Sequence, residues 1–318
     1  MIYKLFKNKL INKNIAMETD YISVYEYEKN VNPNLIHVPF YEKNINECDY
    51  GINIIDFSNI FNVIHKSTTP NLLASFIKLK ENESIDLNNN ETIIDFNGTS
   101  HLFYIIKGTG SFDIDNDEQN LHIGDILITP CFNSIKIKNI TKEKLQIYYI
   151  NDSPLVNYLG NKAHKKIFKT AIYKNEFLIK KLNELSNPIN NRKGILLSNK
   201  DTEVIGVNTI TPVLWALYNE LPPKTIQKPH KHNSVALDLC IKCIDNENIY
   251  TLIGDELDDN GNILNPRKVH WKEGSMFITP PGLWHSHNNI GDTHAYILPI
   301  QDAGLLLYQR ILGIILKK

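Results

Sequence analysis

The chain has 318 residues, 42% of them hydrophobic and 22% charged, with a formal net charge of −1. That length can bury two ordinary cores, and the composition excludes a disordered or low-complexity chain. Near-neutrality argues against a surface built for polyanions, so neither nucleic acid nor an acidic membrane surface is an expected partner.

No apolar run is long enough to cross a bilayer. The first residues interleave lysines with apolar positions and hold no core of signal-peptide length. The four cysteines, Cys48, Cys131, Cys240 and Cys243, are scattered, as in a protein of a reducing compartment. A cytoplasmic protein is the expectation.

Residues 1–66 show no clean period and predict short strands and loops, an arm that packs on the body of the protein or on a partner subunit. From Asn71 the pattern turns to β. Residues 72–79 predict a strand, followed by an Asn-rich turn and a second strand over 92–96. Residues 101–112 predict a strand ending in a glycine turn, and 121–130 another strand ending at Pro130. Residues 153–200 predict a helical connector, with an amphipathic helix over 171–185 and Asn187-Pro188 beyond its end. Further strands are predicted over 249–254 and 268–271, flanking the turn signal 258–262, and over 296–300. Residues 305–312 predict a terminal helix. Cys240 and Cys243, three apart on a strand, face opposite sides and are predicted as buried small side chains.

The chemistry concentrates between Thr211 and Asn289. His230 and His232 are two apart, so on a strand they share a face. Gly274 to Asn289 then predicts strand, Pro280-Pro281-Gly282 turn and strand, with His285 and His287 again on a shared face. Three neutral imidazoles converging from such strands make a divalent transition-metal site, and the donor set alone admits Mn, Co, Ni, Cu or Zn as well as Fe.

His-x-His followed by Gly-x5-Pro-x-Gly-x2-His-x3-Asn, here His230, His232, Gly274, Pro280, Gly282, His285 and Asn289, resembles the two-part cupin motif. Val235, Ala236 and Leu237 stand near where many cupins have a Glu, which resembles the three-histidine branch. Residues 211–216, Ala236-Leu237 and the run Trp284-His285-Ser286-His287 together resemble gentisate 1,2-dioxygenases and their hydroxynaphthoate and salicylate relatives. The stretches 101–112 and 121–130 resemble a first copy of the same motif without its ligands. His101 takes the Glu position, Asp95 and Asn97 lie near the His-x-His, and Phe132 and Ile135 replace the Gly and His. The resemblance implies an all-β bicupin with a few helices, that is, two double-stranded β-helix (jelly-roll) barrels. The implied division is an arm at 1–66, a ligand-free barrel at 67–152, a helical connector at 153–200, a metal-binding barrel at 201–300 and a C-terminal helix at 301–318.

It further implies Fe(II) held by His230, His232 and His285, a small-molecule substrate with O2, and a homodimer or homotetramer. His287 is read either as an acid or base beside bound diol or O2 or as a histidine at the barrel rim. Trp215 and Trp284 wall the substrate pocket or pack the core. Ser234 stands where the family often has Gln, and Asp238 where it usually has Arg. Strand parity turns Asp238 inward, where a carboxylate repels an anionic acid and pairs with an amine. Its other reading is a hydrogen bond to Lys242 or a backbone N–H. The leading functional reading is an Fe(II) dioxygenase. The alternatives are a metal-dependent lyase, isomerase or decarboxylase, and a binding cupin without turnover.

Overall fold

The structure, a computed structural model, describes residues 22–88, 96–185 and 192–317. Residues up to Ile36 form one unit and His37 onward another. In the first, the described residues hold one helical turn, Tyr27–Asn30, whose N–H groups at Glu28 and Lys29 donate to the Glu26 carboxylate. Residues 92–95 of the strand predicted over 92–96, and the Asn187-Pro188 stop signal, lie outside the described residues.

The second unit contains two barrels, each a six-stranded sheet facing a smaller or equal one, and every pair of strands is antiparallel. The N-terminal six-stranded sheet runs in the order Ala171–Tyr173, Ile126–Thr129, His101–Lys107, Leu145–Asn151, Leu73–Leu79, Gly51–Ile55. Its C-terminal counterpart runs Glu42–Asn44, Ser275–Thr279, Ala236–Lys242, Ala295–Gln301, Trp215–Leu221, Lys193–Leu197. The architecture is all-β with a few short helices. Among the described residues no helix is long and apolar enough to cross a membrane.

The central strands of these two sheets read as nearly continuous apolar runs because both of their faces are covered. Leu102, Tyr104, Tyr148 and Ile150 project to one side of the N-terminal sheet and join Leu237, Leu239, Ile278 and Leu298 of the other sheet in one buried cluster. Their sequence neighbours Phe103, Ile105, Ile147 and Tyr149 project to the other side and fill the N-terminal barrel. Cys240, Phe277 and Ile297 do the same for the closed end of the C-terminal barrel. Period-two alternation therefore sorts residues between a shared core and two private ones.

The two barrels repeat each other in detail. Asn139 Nδ2 donates to the carbonyls of Leu79 and Glu143, and Asn289 Nδ2 donates to those of Leu221 and Thr293. Where the C-terminal barrel has His285 and His287 leading into that asparagine, the N-terminal barrel has Ile135 and Ile137. Its interior is solid. Phe103 stacks on Tyr149 with centroids 4.2 Å apart, and Phe132 lies 4.6 Å from the His101 ring.

Several sequence expectations change. Part of the predicted arm is woven into both barrels: Glu42–Asn44 pairs with Ser275–Thr279, and Gly51–Ile55 with Leu73–Leu79. The connector is not purely helical. Ala171–Tyr173 and Lys193–Leu197 add one edge strand to each barrel, and the helix between them is confined to Asn175–Asn183. The terminal helix covers only Ala303–Tyr308; Arg310 then adopts a left-handed backbone, and Ile314–Leu316 forms a strand on His230–His232. An open edge beside the histidine strand offered hydrogen bonds that local helix propensity could not match. Cys240 and Cys243 do not face apart. The ladder slips between Cys240 and Lys242, both cysteines join one buried cluster, and the neighbouring Cys240 thiol lowers the Cys243 pKa. Both remain free thiols.

Candidate metal centre

The sheet facing the C-terminal six-stranded one runs Arg267–His270, Ile249–Gly254, Trp284–Asn289, His230–His232, Ile314–Leu316. His230 pairs directly with His285, which brings the two parts of the motif side by side. The turn between them closes on Gly282, whose φ of +82° suits glycine and whose N–H donates to the His232 carbonyl at 2.7 Å. Alternation then turns His230, His232, His285 and His287 into the barrel.

Four imidazoles converge, one more than the expected ligand set. The His285 ring centroid lies 4.0 Å from His230, 4.8 Å from His232 and 5.9 Å from His287. The His230 and His232 centroids are 6.1 Å apart. One ring nitrogen from each of His230, His285 and His287 lies within 4.8 Å of the others. The expected set named His232 in place of His287.

Hydrogen bonds decide two tautomers. His232 Nδ1 faces the Ser234 carbonyl at 2.9 Å, and His285 Nδ1 faces the Leu283 carbonyl at 3.1 Å. A carbonyl only accepts, so both Nδ1 atoms donate and both Nε2 lone pairs are free. His287 Nδ1 meets the Thr251 hydroxyl at 2.8 Å, and that oxygen also accepts from Trp271 Nε1 at 2.8 Å. His230 differs, because its Nδ1 accepts from Arg192 Nη2 at 3.2 Å. Ligation through His230 requires that contact to rearrange.

All four rings are held neutral. Burial drives His285 and His230 well below the ordinary histidine value, with His230 adding to it at His285 and His287 and Arg192 adding to it at His230. Burial, then the Arg192 charge, lowers His287 to about 3. Burial also lowers His232. Neutral, buried imidazoles with free lone pairs suit a divalent ion of nitrogen preference, so the residues fit such a group.

The cavity beside the histidines has a volume of about 320 Å³. Trp215, Leu217, Asn219, Pro299 and Gln301 line it from the opposite sheet, and Leu196, Ile314 and Leu316 line it as partly exposed residues. A Cβ at Gly194 would lie 1.8 Å from Asn219 Oδ1, so the missing side chain is what admits that amide. Asp238 lines the cavity and is 2% exposed. Its partner is neither Lys242 nor a backbone N–H but the Thr279 hydroxyl, which donates to Oδ2 at 2.6 Å.

Trp215 therefore sits where one reading had it, and Trp284 does not. Trp284 alternates with His285 and faces outward, under the Lys231 ammonium at 4.7 Å. Ser234 is fully buried behind His232 and donates to Gln301 Oε1 at 2.7 Å, so it supports a histidine instead of lining the cavity. Sequence reasoning missed Arg192, Thr251 and the two cavity residues of the final strand. Arg192 lies in the connector, far in sequence from the motif, with no local signal. Its Nη2 also donates to the Lys228 carbonyl at 2.7 Å, while Nε and Nη1, though buried, have no partner among the described residues.

No protein-family model matches the sequence, and no curated protein does. Solved structures do match. The salicylate 1,2-dioxygenase of Pseudaminobacter salicylatoxidans superposes with a TM-score of 0.69 at 12% identity, over 92% of this chain and 94% of that one. Its adduct with gentisate gives 0.68 at 11% identity, over 92% and 90%. A tryptophan-to-tyrosine variant of that enzyme in complex with gentisate gives 0.69 at 12%, over 92% and 91%. The fold is that of the bicupins. At these identities the likeness speaks for the fold alone.

Proposed function

We propose that the C-terminal barrel is the active site of an Fe(II)-dependent dioxygenase acting on a small aromatic or related acid with O2. The observation that carries this is the convergence of His230, His232, His285 and His287 beside a cavity of single-ligand size inside a salicylate-dioxygenase-like fold. His230, His232 and His285 hold the ion, and His287 faces the substrate. When bound, a redox-active divalent ion supplies electrons to O2 and positive charge to substrate oxygens. The chain's own residues do the rest. Trp215, Leu217 and Pro299 present apolar surface to a flat ring. Arg192, whose Nε and Nη1 have no partner among the described residues, offers N–H donors and a positive charge to a carboxylate. His287, braced by Thr251, presents a neutral imidazole as a hydrogen-bonding group to the substrate.

The test is anaerobic loading with Fe(II), metal analysis, and O2 uptake against hydroxy- and aminobenzoates. One ion per chain and substrate-dependent uptake are expected, both lost in His285→Ala. His287→Ala is expected to keep the ion and lose turnover by about 10²–10⁴-fold. Loss of the ion in His287→Ala instead moves His287 into the ligand set. Turnover that persists without O2 and with Zn or Mn overturns the oxygenase reading in favour of a Lewis-acid enzyme.

A further inference from the structure

Among the described residues, two charged groups face the histidine cavity without a partner of opposite sign. Lys193 also lines it, but its ammonium is taken by Glu220 at 2.7 Å. Arg192 comes from the connector end of the cavity, and among the described residues its guanidinium is met only by a carbonyl and an imidazole. Asp238 comes from the middle of the Ala236–Lys242 strand, on the face shared with Ala236 and Cys240. Thr279 is its one hydrogen-bonding side chain, and no cation pairs with it among the described residues.

Both line the same small cavity, yet among the described residues no ion pair joins them. Burial pushes the Asp238 carboxyl up to about 7. Each group is costly to keep there unpaired. A ligand that spans them relieves both costs at once. One that brings a second anion to Asp238 adds repulsion in a poorly solvated place.

Resting on the metal-site reading above, we infer that the cavity's ligand is amphoteric: an acid whose carboxylate meets Arg192 and whose amine, or another N–H donor, meets Asp238. Asp238 is then a specificity-determining residue. It selects for an N–H at the far end of the substrate and against a dicarboxylic acid.

The probes are benzoate, its 3- and 4-aminomethyl derivatives, and isophthalate and terephthalate. Each is titrated calorimetrically into full-length protein loaded with redox-silent Zn(II). At least one aminomethyl compound is expected to bind tenfold or more tightly than benzoate, and both dicarboxylates more weakly than benzoate. Asp238→Asn is expected to fold as well as the parent, since it removes a buried charge. It is expected to erase the amine preference while leaving benzoate affinity within about threefold. Equal affinity for benzoate and the amines in the parent, or an amine preference that survives in Asp238→Asn, overturns the assignment alone. Protein that retains no zinc overturns the metal site and this assignment together.

Discussion

His101 and His285 are both buried to within 2% of complete, yet only one has a nitrogen to spare. His101 Nδ1 meets the Tyr149 hydroxyl at 2.8 Å and Nε2 meets the Gly98 carbonyl at 3.1 Å. With both nitrogens engaged and Phe132 packed on the ring, His101 is structural. Burial lowers its folded pKa to about 3 against an ordinary 6.5. The unfolded chain therefore takes up a proton first on acidification, and the stability His101 contributes is full above about pH 6.5 and lost as pH falls toward 3. The difference amounts to about 2 kcal/mol at pH 5. His101→Gln is expected to be less stable at neutral pH and to show a shallower loss of stability between pH 6.5 and 4.5. Urea midpoints at four pH values measure this, and parallel curves for the two proteins would refute it.

At the scale of elements, the strand Ile314–Leu316 matters most. It covers the outer edge of the histidine strand in the register His230 to Leu316 and His232 to Ile314. Asn233, the residue after His232, clasps it: Nδ2 donates to the Ile311 carbonyl at 2.8 Å, and Oδ1 accepts from the Gly313 N–H at 2.8 Å. Lys317 N–H donates to the Pro229 carbonyl at 3.0 Å at the other end. The same strand lends Ile314 and Leu316 to the cavity wall, so it both braces two ligand candidates and shapes the pocket. Asn233→Ala is expected to cost about 1–2 kcal/mol for two lost hydrogen bonds. It should raise amide exchange across 314–316 and weaken zinc retention several-fold. Unchanged exchange there would mean the clasp does not hold the strand.

At the scale of the molecule, the two barrels share one apolar core, and they are cross-stitched by strands from the arm and the connector. The N-terminal barrel, whose described residues hold no cluster of metal-ligating side chains, is then half of the support for the one that carries the histidines. Leu239, fully buried in the shared core, tests this. Leu239→Ala is expected to cost about 2–5 kcal/mol and to lower one common calorimetric transition. Separate transitions, with only the C-terminal one lowered, would show that the barrels unfold independently.

Much of the site was legible in order along the chain. Alternation on strands is a local property, so His230, His232, His285, His287 and Asp238 declared their inward direction without any knowledge of partners. The repeat was legible for the same reason, with Phe132 and Ile135 at its motif positions. The same rule would have turned Trp284 outward had it been applied from His285. What lay beyond the sequence was every feature made by a neighbour far along the chain. Arg192 reaches the histidines from the connector, a slipped ladder joins Cys240 to Cys243, and Ile314–Leu316 becomes a strand because His230–His232 leaves an edge open. Side-chain direction follows from backbone geometry one residue at a time, whereas an edge, a bulge or an unpaired charge exists only once distant segments have met.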